Sequence, residues 1–254
     1  MYRKMVKEIR DQAIQEAKEE LRKDVPRDKV VVRAVKYLEK VSSDLDEEIQ
    51  VFRDWYGIHF PEFVEQIQDN DHFLKLLSNG LERTDVNGFE SLAKESTGSM
   101  LVDEDLEALE VAFEDLKDKY QMREELESYI EEVVEDEMGN LTAFMEPMLV
   151  AKLLAHAGSL ETLAKKPAST VQMYGAEKAL FRYLKGEGTP PKHGVIYEHR
   201  FVNSLPEEKR GKMSRFMANK ISIAARLDYY GGDFKGDELR EEITGKYHSL
   251  EEDN

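Results

Sequence analysis

Apolar residues recur at alternating three- and four-residue steps along two long stretches of the chain. The first stretch begins near Asp28 and the second closes at about residue 138. Most positions between the apolar ones are charged, which is typical of amphipathic helices and not of strands. The steps predict a coiled-coil seam. Its members are Val31, Leu38, Val41, Leu45 and Phe52 in the first stretch, and Leu109, Phe113 and Leu116 in the second.

The first seam continues to Trp55 and has Glu48 as its one polar position. A turn at 55–62, Trp-Tyr-Gly-Ile-His-Phe-Pro-Glu, then ends the helix, because glycine frees the backbone and proline prevents continuation. Residues 62–100 connect the two stretches. We therefore predict two long helices that pack antiparallel on each other.

The composition changes after residue 138 to Ala, Leu, Met, Lys and Arg with few acids. Further helices are predicted at 146–158, 159–165, 169–185 and 206–230. Ser159, Ser169 and Ser204 are candidate caps, and Gly158 and Gly186 are candidate stops. Because no alternating strand pattern of useful length occurs, the predicted class is all-α. The predicted organisation is an N-terminal helix and linker at 1–27, a coiled-coil domain at 28–138, a compact helical domain at 139–232 and an acidic, fraying tail at 233–254.

Charge is divided unevenly along the chain. The 254 residues carry a formal charge of −17, which by itself disfavours a polyanionic partner. Residues 141–232, however, contain 14 Lys and Arg against 8 Asp and Glu, a net charge of +6. A basic region therefore lies within an acidic chain, and acidic surface that serves solubility does not explain it.

Composition also bears on location. The chain has no cysteine, and no run of apolar residues is long enough for a membrane span. The charged N-terminus does not resemble a signal peptide. These features predict a cytoplasmic protein without membrane contact.

No catalytic or metal-binding constellation is apparent. The glycines at 186, 188 and 194 lack a preceding strand and the spacing of a phosphate-binding loop. His193 and His199 are six residues apart with no third ligand nearby in sequence. The sequence therefore predicts no enzyme activity, no metal and no cofactor.

The basic region contains one cluster with a clear geometry. Lys178, Arg182 and Lys185 follow three- and four-residue steps, so a helix places them on one face. The loop after that helix carries Lys192 and His193. Such cations could neutralise phosphates, while the rings of His193, Tyr174 and Tyr197 could stack on unpaired bases. The alternative interpretation is a solubilising helix face above buried tyrosines.

Two motifs resemble a known family. They are Gly-Ala-Glu-Lys-Ala-Leu-Phe at 175–181 and Pro-Pro-Lys-His-Gly-Val-Ile-Tyr at 190–197, and the turn at 55–62 is similar as well. Together with the segments 157–160, 167–172 and 211–213, they resemble the Nop-domain core proteins of archaeal and eukaryotic box C/D particles.

The resemblance implies a coiled-coil domain followed by a Nop domain at 139–232. It implies a non-catalytic scaffold for RNA-guided 2′-O-methylation, which binds the kink-turn of a box C/D guide RNA jointly with a ribosomal-type kink-turn-binding protein. It also implies a homodimer formed through the coiled coil. The implied RNA-binding residues are Lys178, Lys192, His193, Gln172, Arg182 and Lys185, with Gly175 and Gly194 serving backbone geometry.

One departure from the family concerns the methyltransferase. Family members usually carry a mixed α/β domain before the coiled coil, whereas 27 residues precede Asp28 here. Docking of a fibrillarin-type methyltransferase is therefore doubtful on the sequence. Two other functions stay open, a spliceosomal U4-type Nop-domain factor and a protein-only coiled-coil adaptor.

Overall fold

A computed structural model describes residues 25–252, together with residues 6, 10, 12–15 and 18. The described residues form helices and no strand, which confirms the all-α class. The helices are α1 (Arg27–His59), α2 (Pro61–Gln66), α3 (Asn70–Leu77), α4 (Glu90–Glu95), α5 (Asp103–Glu137), α6 (Gly139–Thr142), α7 (Pro147–Ala157), α8 (Leu160–Lys165), α9 (Ala168–Val171), α10 (Glu177–Leu184), α11 (Arg200–Asn203), α12 (Glu207–Tyr230) and α13 (Gly236–Glu252). Two short 3-10 helices lie at Arg83–Asp85 and Val195–Glu198.

The chain divides into two compact units. The helical-pair unit comprises Tyr37–Ser128, and the C-terminal unit comprises Tyr129 onward together with the residues up to Lys36. The sequence prediction had instead placed the boundary after residue 138. The start of α1 belongs to the C-terminal unit because the carboxylate of Asp28 accepts a hydrogen bond of 2.7 Å from the backbone N–H of Leu160, at the start of α8.

In the helical-pair unit, α1 and α5 run antiparallel. Lys119 of α5 pairs with Glu48 of α1 at 2.6 Å. One turn further along α1, the ring of Phe52 lies 5.9 Å from that of Phe113, which precedes Lys119. Apolar burial along this pairing is the main stabilising contribution, since each fully buried large side chain contributes roughly 1.5–3 kcal/mol.

The predicted seam and the buried positions differ at one end. Val31, Leu38, Leu45, Phe52, Leu109, Phe113 and Leu116 are buried, and Val41 is half-buried. Trp55, however, is 39 % exposed, whereas the neighbouring Tyr56 is fully buried. Ile49 is likewise buried beside the half-exposed Glu48. The buried side of α1 is therefore shifted by one residue in this part of the helix. The sequence pattern does not reveal this shift, because Trp55 and Tyr56 are both aromatic and either of them could occupy the buried position.

A loop closes over the end of α1. The carboxylate of Glu62 accepts hydrogen bonds from the Ser96 hydroxyl and from the backbone N–H and hydroxyl of Thr97, at 2.6–2.7 Å. These donors lower the pKa of Glu62 to about 2. A Cβ on Gly98 would overlap the backbone of His59, so the close approach requires glycine. The turn at 55–62 is therefore a docking point for residues 96–99.

The C-terminal unit is organised around α12. Helices α6, α8, α9 and α13 pack against this helix, whose buried face consists mainly of Met, Ala, Ser and Ile residues. Asp228, near its C-terminal end, accepts hydrogen bonds from the backbone N–H groups of Asn140 and Leu141 at the start of α6. Burial nevertheless raises the pKa of Asp228.

Two predicted segments have a different structure. The single helix expected at 169–185 is broken into α9 and α10, because the chain turns at Gly175, whose φ is +84°. The acidic tail expected to fray from residue 233 instead contains α13 at Gly236–Glu252. Leu239, Ile243 and Leu250 bury its apolar side, and α13 packs on α12.

Candidate nucleic-acid interface

Helix α10 presents the predicted cationic face. None of its residues is buried, and Lys178 and Arg182 are exposed, as is Lys185 just beyond its end. Phe181 and Leu184 on the same helix are 65 % and 69 % exposed. An amphipathic helix with both its cations and its apolar side chains in solvent is a surface that a partner could cover.

The backbone segments before α10 and after the loop that follows it are paired by hydrogen bonds, which fixes the position of the loop relative to α10. The N–H of Gly194 donates to the carbonyl of Gln172 at 3.0 Å, and the N–H of Val195 donates to that of Tyr174 at 2.7 Å. A Cβ on Gly194 would overlap the Tyr174 carbonyl oxygen, and one on Gly175 would press on the Val195 side chain. The two glycines thus serve backbone geometry in this structure.

A groove of about 500 Å³ opens between α10, the loop at 187–193 and the start of α12. Its polar lining includes Arg182, Lys192 and His193, together with the acidic Glu187 and Glu207. Lys178 and Lys185 do not line it. The structure therefore brings together three of the six predicted RNA-binding residues in one groove and leaves two others on the open surface, one on α10 and one just beyond its end.

Gln172, the sixth of these residues, has a different environment. Its side chain is 8 % exposed, and its amide Nε2 donates a 2.7 Å hydrogen bond to the carbonyl of Lys192. A buried amide engaged in this way positions the loop and does not face solvent. The prediction of a direct ligand contact through Gln172 is therefore replaced by a positioning role.

The aromatic rings near the groove also differ from one another. The His193 ring stacks on Tyr197, with centroids 4.6 Å apart and planes inclined by 17°. The Arg210 guanidinium lies 5.4 Å from the centroid of the same tyrosine. Tyr174, by contrast, is 8 % exposed, so its ring is not available to a base. Burial, together with the nearby cations Arg210 and Lys192, lowers the pKa of His193.

At least three of the six cations of α12 are engaged within the fold. The Arg226 guanidinium donates to the carbonyl of Ala164 at 3.0 Å, and Arg210 donates to that of Leu205 at 2.7 Å. Lys220, whose side chain is 12 % exposed, pairs with Glu242 of α13. These three cations therefore hold neighbouring elements in place and cannot be counted as a free phosphate-binding surface.

Lys192 has an acidic neighbour that sequence reasoning missed. Its Nζ lies 3.1 Å from a carboxylate oxygen of Glu207, in the first turn of α12. This ion pair lowers the pKa of Glu207. The two residues are 15 positions apart, across a 3-10 helix and α11, so no periodicity could have linked them.

The helical-pair unit carries a second, chemically different surface. Val51 and Ile58 are 69 % and 55 % exposed, and Trp55 lies between them on the same side of α1. A groove of about 470 Å³ beside Val51 and Trp55 has an acidic rim that includes Asp44 and Glu47. This surface is apolar and acidic, whereas the groove beside α10 is polar and carries charges of both signs.

Two further kinds of feature are absent from the part of the chain that the structure describes. No three His, Asp or Glu side chains there are grouped so that they could hold a metal ion. None of the helices described combines the length and the apolar character that crossing a membrane requires.

Comparison with protein families gives one match that spans both units. The Nop model, described as a snoRNA-binding domain and fibrillarin, matches residues 37–249. The chain is 33 % identical over 238 residues to an uncharacterised NOP5 family protein of Methanocaldococcus jannaschii, covering 88 % of this chain and 57 % of that protein. It is 33 % identical to human nucleolar protein 56, covering 85 % and 40 %, and 34 % identical to nucleolar protein 58 of Scheffersomyces stipitis, covering 88 % and 47 %.

A solved structure is similar as well. The crystal structure of a fibrillarin/Nop5p complex matches with a TM-score of 0.55 at 28 % identity, over 98 % of this chain and 78 % of that one. The chain belongs to the Nop family, which confirms the resemblance drawn from the motifs at 175–181 and 190–197. It spans about half the length of the curated relatives that it matches.

The relatives' names correct one prediction. The sequence alone predicted a cytoplasmic protein, but the human and yeast relatives are nucleolar proteins by name. A lack of cysteine does not distinguish the cytoplasm from the nucleolus, so composition could not have decided this.

Proposed function

We propose that this protein is an RNA-binding scaffold of a box C/D-type ribonucleoprotein, without catalytic activity of its own. The single observation that carries the proposal is the groove in which Arg182, Lys192 and His193 meet, held by the pairing of 172–174 with 194–195. Membership of the Nop family and the snoRNA-binding description of its model support it.

The groove has the chemistry that a bent RNA backbone requires. The Arg182 guanidinium presents several donors to phosphate oxygens, and Lys192 supplies a compact positive charge. His193, with its lowered pKa, is mainly neutral at pH 7 and offers a flat ring beside Tyr197 for a sugar or an unpaired base. Phosphate contacts would then provide affinity and the ring would provide shape recognition.

A joint contact with a kink-turn-binding protein is the second element of the proposal. Phe181 and Leu184 are exposed on α10, close in sequence to Arg182. A protein that already covers the RNA could bury these side chains while Arg182 contacts the RNA. Binding to RNA would accordingly depend on the presence of both components.

Two further partners follow from the family. The similar solved structure is a complex of Nop5p with fibrillarin, so a fibrillarin-type methyltransferase is proposed as a partner despite the doubt raised by the sequence.

Self-association is proposed through the side of α1 that exposes Val51, Trp55 and Ile58. Sedimentation equilibrium of Val51→Asp checks this proposal: a shift toward monomer supports it, and an unchanged mass contradicts it.

The main proposal is tested by gel-shift titration of a kink-turn RNA with and without a kink-turn-binding protein. We expect a supershift only when that protein is bound, with an affinity that falls as salt rises because phosphate contacts release counterions. Arg182→Glu is expected to abolish the supershift.

The matched control is Arg215→Glu, which changes the same charge at an exposed position of α12 that does not line the groove. Equal effects of the two variants would contradict the groove as the binding site. Absence of any supershift in the unaltered chain would favour a protein-only adaptor. Methyl transfer by the chain alone would contradict the non-catalytic assignment.

A further inference from the structure

The ion pair between Lys192 and Glu207 lies inside the proposed RNA groove. Both residues line the groove, and their charged atoms lie 3.1 Å apart. Neither side chain is buried, with exposures of 52 % for Lys192 and 76 % for Glu207. The pair is thus open to exchange with an anion from solution.

Glu207 is well placed to compete with such an anion. It belongs to the first turn of α12, where the helix dipole and the free backbone N–H groups favour a negative charge. Its carboxylate pairs with Lys192 Nζ inside the groove, and it would repel a phosphate bound to the same ammonium group. A phosphate that binds Lys192 therefore either displaces Glu207 or lies beside a like charge, and both lower its affinity.

We propose that Glu207 acts as a built-in competitor for phosphate at Lys192, so that a polyanion binds well only if it makes further contacts in the groove. This inference rests on the proposed function. A polyanion that meets Lys192 alone exchanges one anion for another and gains little. An RNA of matching shape also engages Arg182 and the His193 ring, and these additional contacts outweigh the displaced carboxylate.

The adjacent residue provides a matched control. Glu208 lies in the same first turn of α12 and is exposed, but it does not line the groove. Glu207→Gln and Glu208→Gln make the same change in net charge and nearly the same change in the field at the helix start. A difference between them therefore isolates the pairing with Lys192.

The experiment compares two RNAs by fluorescence anisotropy with the full chain. One is a kink-turn RNA with its binding protein, and the other is a plain RNA duplex of the same length. We expect Glu207→Gln to bind the duplex and the kink-turn complex each about three- to five-fold more tightly, and Glu208→Gln to change neither by as much as two-fold.

A second pair of variants checks that the gain passes through Lys192. In a Lys192→Gln background, Glu207→Gln is expected to give no gain for the duplex. Equal gains from Glu207→Gln and Glu208→Gln, or a gain that persists without Lys192, would overturn the inference while leaving the proposed function intact. If the unaltered chain binds neither RNA, the proposed function itself fails, and the inference with it.

Discussion

Helices α10 and α12 are both basic, yet they use their cations in opposite ways. On α10 the cations Lys178 and Arg182 form no ion pair with any residue that the structure describes, and the helix buries none of its residues. On α12 the side chains of Arg226 and Lys220 are engaged with Ala164 and Glu242, and eight residues of the helix are buried. Helix α10 is therefore a surface helix, whereas α12 forms part of the core of its unit.

This difference shows that a local excess of positive charge does not define a binding site. A cation that satisfies a buried carbonyl contributes to folding, because the carbonyl would otherwise be unpaired. A cation exposed to solvent contributes little to folding and is available to a ligand. The contrast can be tested by asking which variants lose stability and which lose RNA affinity.

The largest loss of stability is expected at Gly194, where the loop after α10 pairs with the segment before that helix. Gly194→Ala should lower the free energy of unfolding by about 3 kcal/mol, because its Cβ would overlap the Tyr174 carbonyl and separate the paired segments. RNA affinity should fall in parallel, as measured by urea unfolding and anisotropy. Gly188→Ala is the control: its φ of +82° makes alanine unfavourable, but a Cβ there meets no atom within 4 Å, so a loss of only about 1 kcal/mol is expected. Equal losses for the two variants would show that the segments tolerate separation.

A crossed pair of arginine variants sharpens the contrast between the helices. Arg182→Gln should weaken RNA binding about five- to ten-fold and reduce its salt dependence by about one ion, with no change in stability. Arg226→Gln should do the reverse: it loses the hydrogen bond to Ala164, which costs about 1 kcal/mol of folding stability, while RNA affinity stays within two-fold. Should Arg226→Gln weaken RNA binding as much as Arg182→Gln does, the division between surface and core cations is wrong.

The smallest effect concerns the pH dependence of the unit that holds α12. His199 is buried and neutral, since its Nδ1 accepts from the N–H of Phe201 while its Nε2 donates to the Phe144 carbonyl. Burial lowers the pKa of His199, so the unfolded chain takes up its proton first as pH falls. Stability from this group is therefore complete above about pH 6.5 and is lost below it, by at most about 1.4 kcal/mol per pH unit.

Urea unfolding at pH 7.5, 6.5 and 5.5 measures this dependence. His199→Gln should flatten it, whereas His248→Gln, on the exposed side of α13, should not. A slope that His199→Gln leaves unchanged would assign the acid sensitivity to other groups, of which His59 and His193 also have a lowered pKa.

Much of the helical-pair unit was predictable from the sequence. The three- and four-residue steps that end in Phe52 and Leu116 identify a buried stripe, because helical periodicity is a local property of the chain. The positions around Trp55 and Tyr56 were not predictable, since two adjacent aromatic residues both fit the pattern. Only the aromatic cluster around Phe63 and Phe73 decides which of them turns inward.

For the candidate site, the amino-acid sequence by itself determined the family, the helical class and the exposed cationic side of α10, because motifs and periodicity depend on neighbours along the chain. Only the tertiary structure decided that Gln172 holds a loop, that Arg226 and Lys220 serve the core, and that Glu207 pairs with Lys192. These roles arise from side chains that contact one another across loops and between helices. Such contacts cannot be inferred from the spacing of residues along the sequence.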